Sequence, residues 1–161
     1  MMAEWKDFFI AVVGASAALT GLIFVGVSIS LSKILAMRGL INRALVSLIL
    51  LLNVLCMSLF FLIPGQSITV LGIEILGLSI FVWLFVCRFD FQNMYKIEAK
   101  YKFRYILNLL IDQTATICFI LAGISILSGW DSGAYWIAPA IIISIIKAVL
   151  DGWVLLVEIY R

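Results

Sequence analysis

Five long apolar stretches occupy most of this chain, at Phe8–Ser30, Ala44–Ile63, Ile68–Cys87, Tyr105–Leu127 and Ala134–Val157. Each runs to about 20 residues or more, enough at roughly 1.5 Å per residue to cross a hydrocarbon layer of about 30 Å. Lipid offers no hydrogen-bond partners, so a spanning segment of this kind must satisfy its own backbone as a helix. The pattern therefore predicts an all-α protein: a polytopic transmembrane bundle of five spans. With 161 residues and 65% of them hydrophobic, the chain reads as one integral membrane domain with no room for a soluble one.

Composition narrows the chemistry. A net charge of +2 is too small to call for nucleic acid, and the absence of histidine removes the commonest metal ligand and a ready pH switch. Cys56, Cys87 and Cys118 are far apart and sit in or at the ends of spans, so they read as small apolar residues. No P-loop, HExxH or GxSxG is present. The expectation is a protein that is not an enzyme and uses neither cofactor nor metal. Glu4, Lys6 and Asp7 give a mixed-charge start, and the apolar run after them is longer than a signal-peptide core.

Loop charges predict orientation. Lys33, Arg38 and Arg43 follow the first span; Arg88, Lys96, Lys100, Lys102 and Arg104 follow the third, against only Asp90 and Glu98. The positive-inside rule places both segments in the cytoplasm, hence N-out and C-in. Trp5, Trp130, Tyr135 and Trp136 then fall at the outer interface, and Tyr95, Tyr101, Tyr105, Trp153 and Tyr160 at the inner one. Pro64-Gly65 and Ser128–Gly133 read as short outer turns. Leu31–Arg43 reads as an interfacial helix, and Asp90–Arg104 as a continuation of a helix or a segment lying along the membrane.

Two sets of residues are out of place in lipid. In the first span, Gly14, Ala18, Gly21 and Ser28 share a helical face with Ala17 beside it. Small side chains let helices approach closely, so this face serves packing against the chain's own spans, self-association, or the lining of a narrow pore. The second set is ionisable: Glu74, Asp112, Lys147 and Asp151. A charge at mid-membrane costs roughly 3 kcal/mol on insertion scales and normally faces protein or water.

Spacing organises the second set. Asn108, Asp112 and Thr116 recur every four residues, and Ser144, Lys147 and Asp151 at three and four, so each trio forms a stripe on its helix. A short loop makes these two helices antiparallel neighbours and brings Asp112 within reach of Lys147. One lysine shared by two aspartates leaves a net negative charge, and Asn53 lies at a depth to complete the cluster. The set reads as a register-fixing ion pair, a hydrated pathway or ion site, or a docking site for a partner helix. Glu74 has no cation at its depth on another span and is expected to be neutral, reach water, or meet a partner subunit.

The opening Glu4-Trp-Lys-Asp7-Phe-Phe and the segment Gly14-Ala-Ser-Ala-Ala-Leu-Thr-Gly21-Leu resemble a recurrent N-terminal pattern of small bacterial inner-membrane proteins. The resemblance covers about the first 30 residues and implies a multi-pass protein of that membrane; no site residues carry over from it. The functional expectation is a small homo-oligomer that passes ions. The alternative is a non-conducting regulatory, accessory or immunity subunit that binds a larger membrane protein.

Overall fold

The computed structural model describes residues 2–29, 31–36, 38–94, 102–129 and 133–159. Six helices account for all of them but the turn residues 63–67 and 128–129: α1 (Met2–Ile29), α2 (Leu31–Ala36), α3 (Arg38–Leu62), α4 (Ile68–Met94), α5 (Lys102–Leu127) and α6 (Gly133–Ile159). All but the short α2 are long and apolar enough to cross a membrane, which makes the chain a multi-pass integral membrane protein.

The helices outrun the apolar runs that announce them. Helix α3 begins at Arg38 rather than at Ala44, and α4 continues to Met94 rather than stopping at Cys87. The interfacial helix expected over Leu31–Arg43 is accordingly only α2. A helix ends where its backbone loses hydrogen-bond partners, not where its side chains turn polar. This shift puts Arg43 and Asp90 on spanning helices. The aromatic assignments at Tyr95, Tyr101, Trp130 and Tyr160 lie outside the described residues.

Helices α3, α4, α5 and α6 close a four-membered ring, each packing on its two neighbours, while α1 lies outside against α3 and touches α6 lightly. Long helices joined by short turns must run antiparallel, and both turns at one end are built for it. Gly65 takes φ +73° in the turn after α3, and the Ser67 hydroxyl accepts the Val70 N–H at 3.3 Å to cap α4. Gly129 takes φ +74° just past α5, and its N–H reaches the Ile126 carbonyl at 3.2 Å, closing that helix with the one residue that adopts this φ without strain.

Close helix approach holds the α4–α5 pair. A Cβ on Gly123 would stand 3.0 Å from the Leu76 backbone, so the two helices touch where the side chain is missing. The apolar core fills the end with the two turns. It is built from Phe9, Met57, Ile75, Phe119 and Ile137, with Phe9 stacked on Phe61 at 4.2 Å between centroids. A smaller cluster of Ile34, Leu40, Ala44 and Leu155 closes the opposite end. Between the two lies a polar layer.

Candidate functional site: a buried charge cluster

Asp112, Lys147 and Asp151 meet as their spacing predicts. Lys147 Nζ donates to Asp151 Oδ2 one turn along α6 and lies 3.3 Å from Asp112 Oδ1 on α5. All three side chains are buried, Lys147 to 2% exposure. Asp112 Oδ1 meets the ammonium as a charge but makes no aligned hydrogen bond. It is therefore the least satisfied member.

A second cation completes the set. Arg43 Nε donates to Asp151 Oδ1 at 2.7 Å from α3, and the Ser47 hydroxyl lies 3.1 Å from Asp151 Oδ2. The same hydroxyl lies 3.0 Å from the Arg43 carbonyl. It has one proton to give, and the ionised oxygen is the stronger acceptor. With Arg43 included, two cations face two carboxylates, so the negative excess expected of one lysine between two aspartates is cancelled. The cluster ties α3, α5 and α6 together at one depth.

A further carboxylate brings the excess back from α4. Asp90 is buried, accepts from Gln113 Nε2 at 3.2 Å, and lies close enough to Lys147, Asp112 and Asp151 to interact with their charges. Gln113 is the hub of this second network. Its Oε1 accepts from Trp83 Nε1 at 2.9 Å and from Cys87 Sγ at 3.4 Å. The Tyr105 hydroxyl donates to the Asp90 carbonyl at 2.5 Å. Thus all four ring helices deliver ionisable groups to one layer, three carboxylates against two cations.

The other expected members are less engaged. Thr116 and Ser144 are buried, but their hydroxyls donate to carbonyls of their own helices, those of Asp112 at 3.0 Å and Ala140 at 2.8 Å. Asn108 is half-buried one turn before Asp112. Asn53 is buried at 2% exposure with both amide atoms unpartnered, so it adds polarity to the interior without joining the ion pairs. Glu74 is half-buried near the turn end and accepts from Gln66 Nε2 at 2.5 Å, an amide donor in place of the missing cation. Among the described residues no group of three carboxylates or thiols converges as a metal would need.

The small-residue stripe of α1 does not pack against the chain's own spans. Gly14, Ala17, Ala18, Gly21 and Ser28 are all exposed, and a Cβ on Gly14 or Gly21 would meet nothing within 4 Å. The bundle is instead met by the opposite face, through Phe9, Val12 and Ser16, with Thr20, Ile23 and Val27 half-buried beyond them. Helix α1 is also the least covered span, with 17% of its most apolar stretch buried against 33% to 44% for the others.

Arg43, Ser47, Asp90 and Gln113 are absent from the expected site. Arg43 and Asp90 counted as loop charges because they fall just beyond the apolar runs. The signal that recovers Arg43 is its i, i+4 spacing to Ser47, continued by Leu51 and Val54, which places it on the buried face of the helix that follows.

No family model, curated protein or solved structure matches the chain.

Proposed function

We propose that the protein is a small homo-oligomeric membrane protein that passes ions, cations or protons first, across the bilayer in which its five helices sit. In this reading it acts without enzymatic chemistry, and the N-terminal resemblance supports the bacterial inner membrane as its location. The observation that carries the reading is the buried layer of Arg43, Asp90, Asp112, Lys147 and Asp151. Ionisable groups are costly in a membrane interior and are commonest where a protein handles charge. This layer has one carboxylate more than its cations match. It also has, on Asp112, an oxygen held only by its ion pair to Lys147 and, in Asn53, unmet hydrogen-bonding capacity in the interior. Those are the features a transient cation or an entering water would use. A protomer of five spans is too small to enclose a wide path, which favours assembly in a ring.

Purified protein reconstituted into liposomes, with an ion gradient and a matched series of cations and anions, tests this. The parent is expected to conduct cations, and Asp112→Asn to alter rate or selectivity while the fold persists. Liposomes that stay tight to every ion of the series refute the reading.

The exposed Gly14–Gly21 face favours a second reading, a non-conducting accessory or immunity subunit that docks a helix of a larger membrane protein there. Mass in detergent separates the two: a ring of identical subunits belongs to the first, and a monomer that gains mass only with a partner to the second.

A further inference from the structure

Just past the charge layer, towards the apolar core, each ring helix brings one uncharged polar side chain to the interior. They are Asn53 of α3, Ser79 of α4, Thr116 of α5 and Ser144 of α6, none more than 2% exposed. Their depths follow from the contacts below them, with α3 and α5 running one way and α6 the other. At about 1.5 Å per residue, Asn53 stands about 9 Å past Ser47, Thr116 about 6 Å past Asp112 and Ser144 about 10 Å before Asp151. Ser47 and Asp151 meet at 3.1 Å, and Asp112 is paired with α6 through Lys147, so these counts start from one level. Ser79 lies one turn before Trp83, whose indole N–H is bonded to Gln113, the residue after Asp112. Beside these four, Leu52, Ile80, Ile117 and Ile142 are exposed, so at this depth the bundle is apolar outside and polar within. Three of the four inner side chains are of serine or threonine size, which keeps the band low in side-chain volume.

The hydroxyl protons of this band are already spent. The Ser79 hydroxyl donates to the Ile75 carbonyl at 2.6 Å, that of Thr116 to the Asp112 carbonyl at 3.0 Å, and that of Ser144 to the Ala140 carbonyl at 2.8 Å. A hydroxyl has one proton, so what each of them still offers is an acceptor. Asn53 Oδ1 can take no proton from any of the three, and its Nδ2 is unpartnered as well. Asp112 Oδ1, at the lower edge of the band, is one more acceptor without a hydrogen bond. Leaving a buried amide unmet at both ends is costly, and in native interiors such groups are met by water or an ion. The carboxamide needs a partner that both gives to Oδ1 and accepts from Nδ2. A metal cation or an ammonium answers the oxygen alone, whereas water does both.

We infer that Asn53 anchors a buried water site inside the four-helix ring. Water there donates one proton to Asn53 Oδ1 and spends the other on an acceptor of the band, while the Asn53 N–H groups donate to water oxygen. A buried water typically makes about three hydrogen bonds, and this band supplies acceptors from α4, α5 and α6 and both kinds of group from α3. The site joins the polar interior to Asp112, the least satisfied member of the charge layer. It follows from the hydrogen-bond count of the ring alone, and the water is held whether or not ions pass.

Water-edited solid-state NMR of the isotope-labelled full chain, reconstituted in bilayers of deuterated lipid, tests the inference. Magnetisation that starts on water is expected to reach the Asn53 side-chain amide early, and the backbone amides of Met57 and Ile75 in the apolar core late. Asn53→Leu identifies the amide signal and should abolish early transfer to Thr116 and Ser144. If that variant does not fold, assignment of the parent through its backbone leaves the first comparison intact. An Asn53 signal that rises no sooner than that of Met57 overturns the inference, as does undiminished early transfer to Thr116 and Ser144 in folded Asn53→Leu. Early transfer that disappears when sodium chloride replaces N-methylglucamine chloride also overturns it, because a cation then holds the oxygen. Tight liposomes would refute ion passage and leave this result standing, so the two claims fail separately.

Discussion

Replacing Lys147 by methionine removes the cation shared by Asp151 and Asp112, and the two carboxylates are not left equally exposed by its loss. Asp151 keeps Arg43 at 2.7 Å and Ser47 at 3.1 Å. Asp112 loses its only ion-pair partner among the described residues and remains buried. Breaking a buried pair from one side typically costs about 3–5 kcal/mol, whereas removing both partners can be nearly neutral. At about 2–4 °C per kcal/mol for a chain of this length, Lys147→Met should lower the unfolding midpoint by about 10 °C. The rescuing second change is then Asp112→Asn, which should recover most of the loss. Asp151→Asn in the same background should not, because Asp112 stays stranded and Arg43 loses its acceptor. Thermal unfolding of the four proteins in one detergent, followed by circular dichroism, measures this. If Asp151→Asn rescues as well as Asp112→Asn does, the partition of the cluster into a satisfied and an unsatisfied aspartate is wrong.

Three further outcomes are expected. Gly123→Ala should destabilise by about 1–3 kcal/mol, because its Cβ would press on the Leu76 backbone at 3.0 Å, while Gly77→Ala meets open space and should be neutral or slightly stabilising; thermal midpoints decide. Gly21→Leu should change the assembled mass in detergent more than Leu22→Ala, and identical masses would mean that the small-residue face of α1 meets only lipid. In a background lacking Cys56, Cys87 and Cys118, cysteines placed at Gln66 and Ser132 should be labelled from outside the cell and one at Lys33 should not; the opposite pattern inverts the N-out orientation.

The spans were legible because hydrocarbon thickness and backbone hydrogen bonding leave a run such as Tyr105–Leu127 no alternative to a helix. The pairing of Asp112 with Lys147 was legible too, since the i+4 rows on two antiparallel neighbours fix relative depth. Arg43 and Asp90 were not. Each follows or precedes an apolar run, and in a membrane protein that position ordinarily marks a loop charge anchored to headgroups. Only the three-dimensional bundle tells that α3 starts early enough, and α4 runs on far enough, for both to turn inward. The α1 stripe exposes a second limit. Spacing collects Gly14, Ala18 and Gly21 on one face, but when a span is apolar all round, nothing in its pattern says which face meets protein.

These two hidden features act on different parts of the molecule. The charges join α3, α5 and α6, with Asp90 of α4 beside them, and charges buried in a bundle tolerate little sliding, because a one-turn shift of α6 would part Asp151 from Arg43 and Lys147 from Asp112 at once. The ring is thereby held in register. Helix α1 takes no part in that network; it packs along α3 through apolar contacts such as Phe9 on Phe61 and touches α6 only lightly. Exchange of partners should therefore fall on α1, the span that presents a small-residue face outward. Arg43 joins the interior to the surface, since it neutralises Asp151 while its own side chain stays 31% exposed.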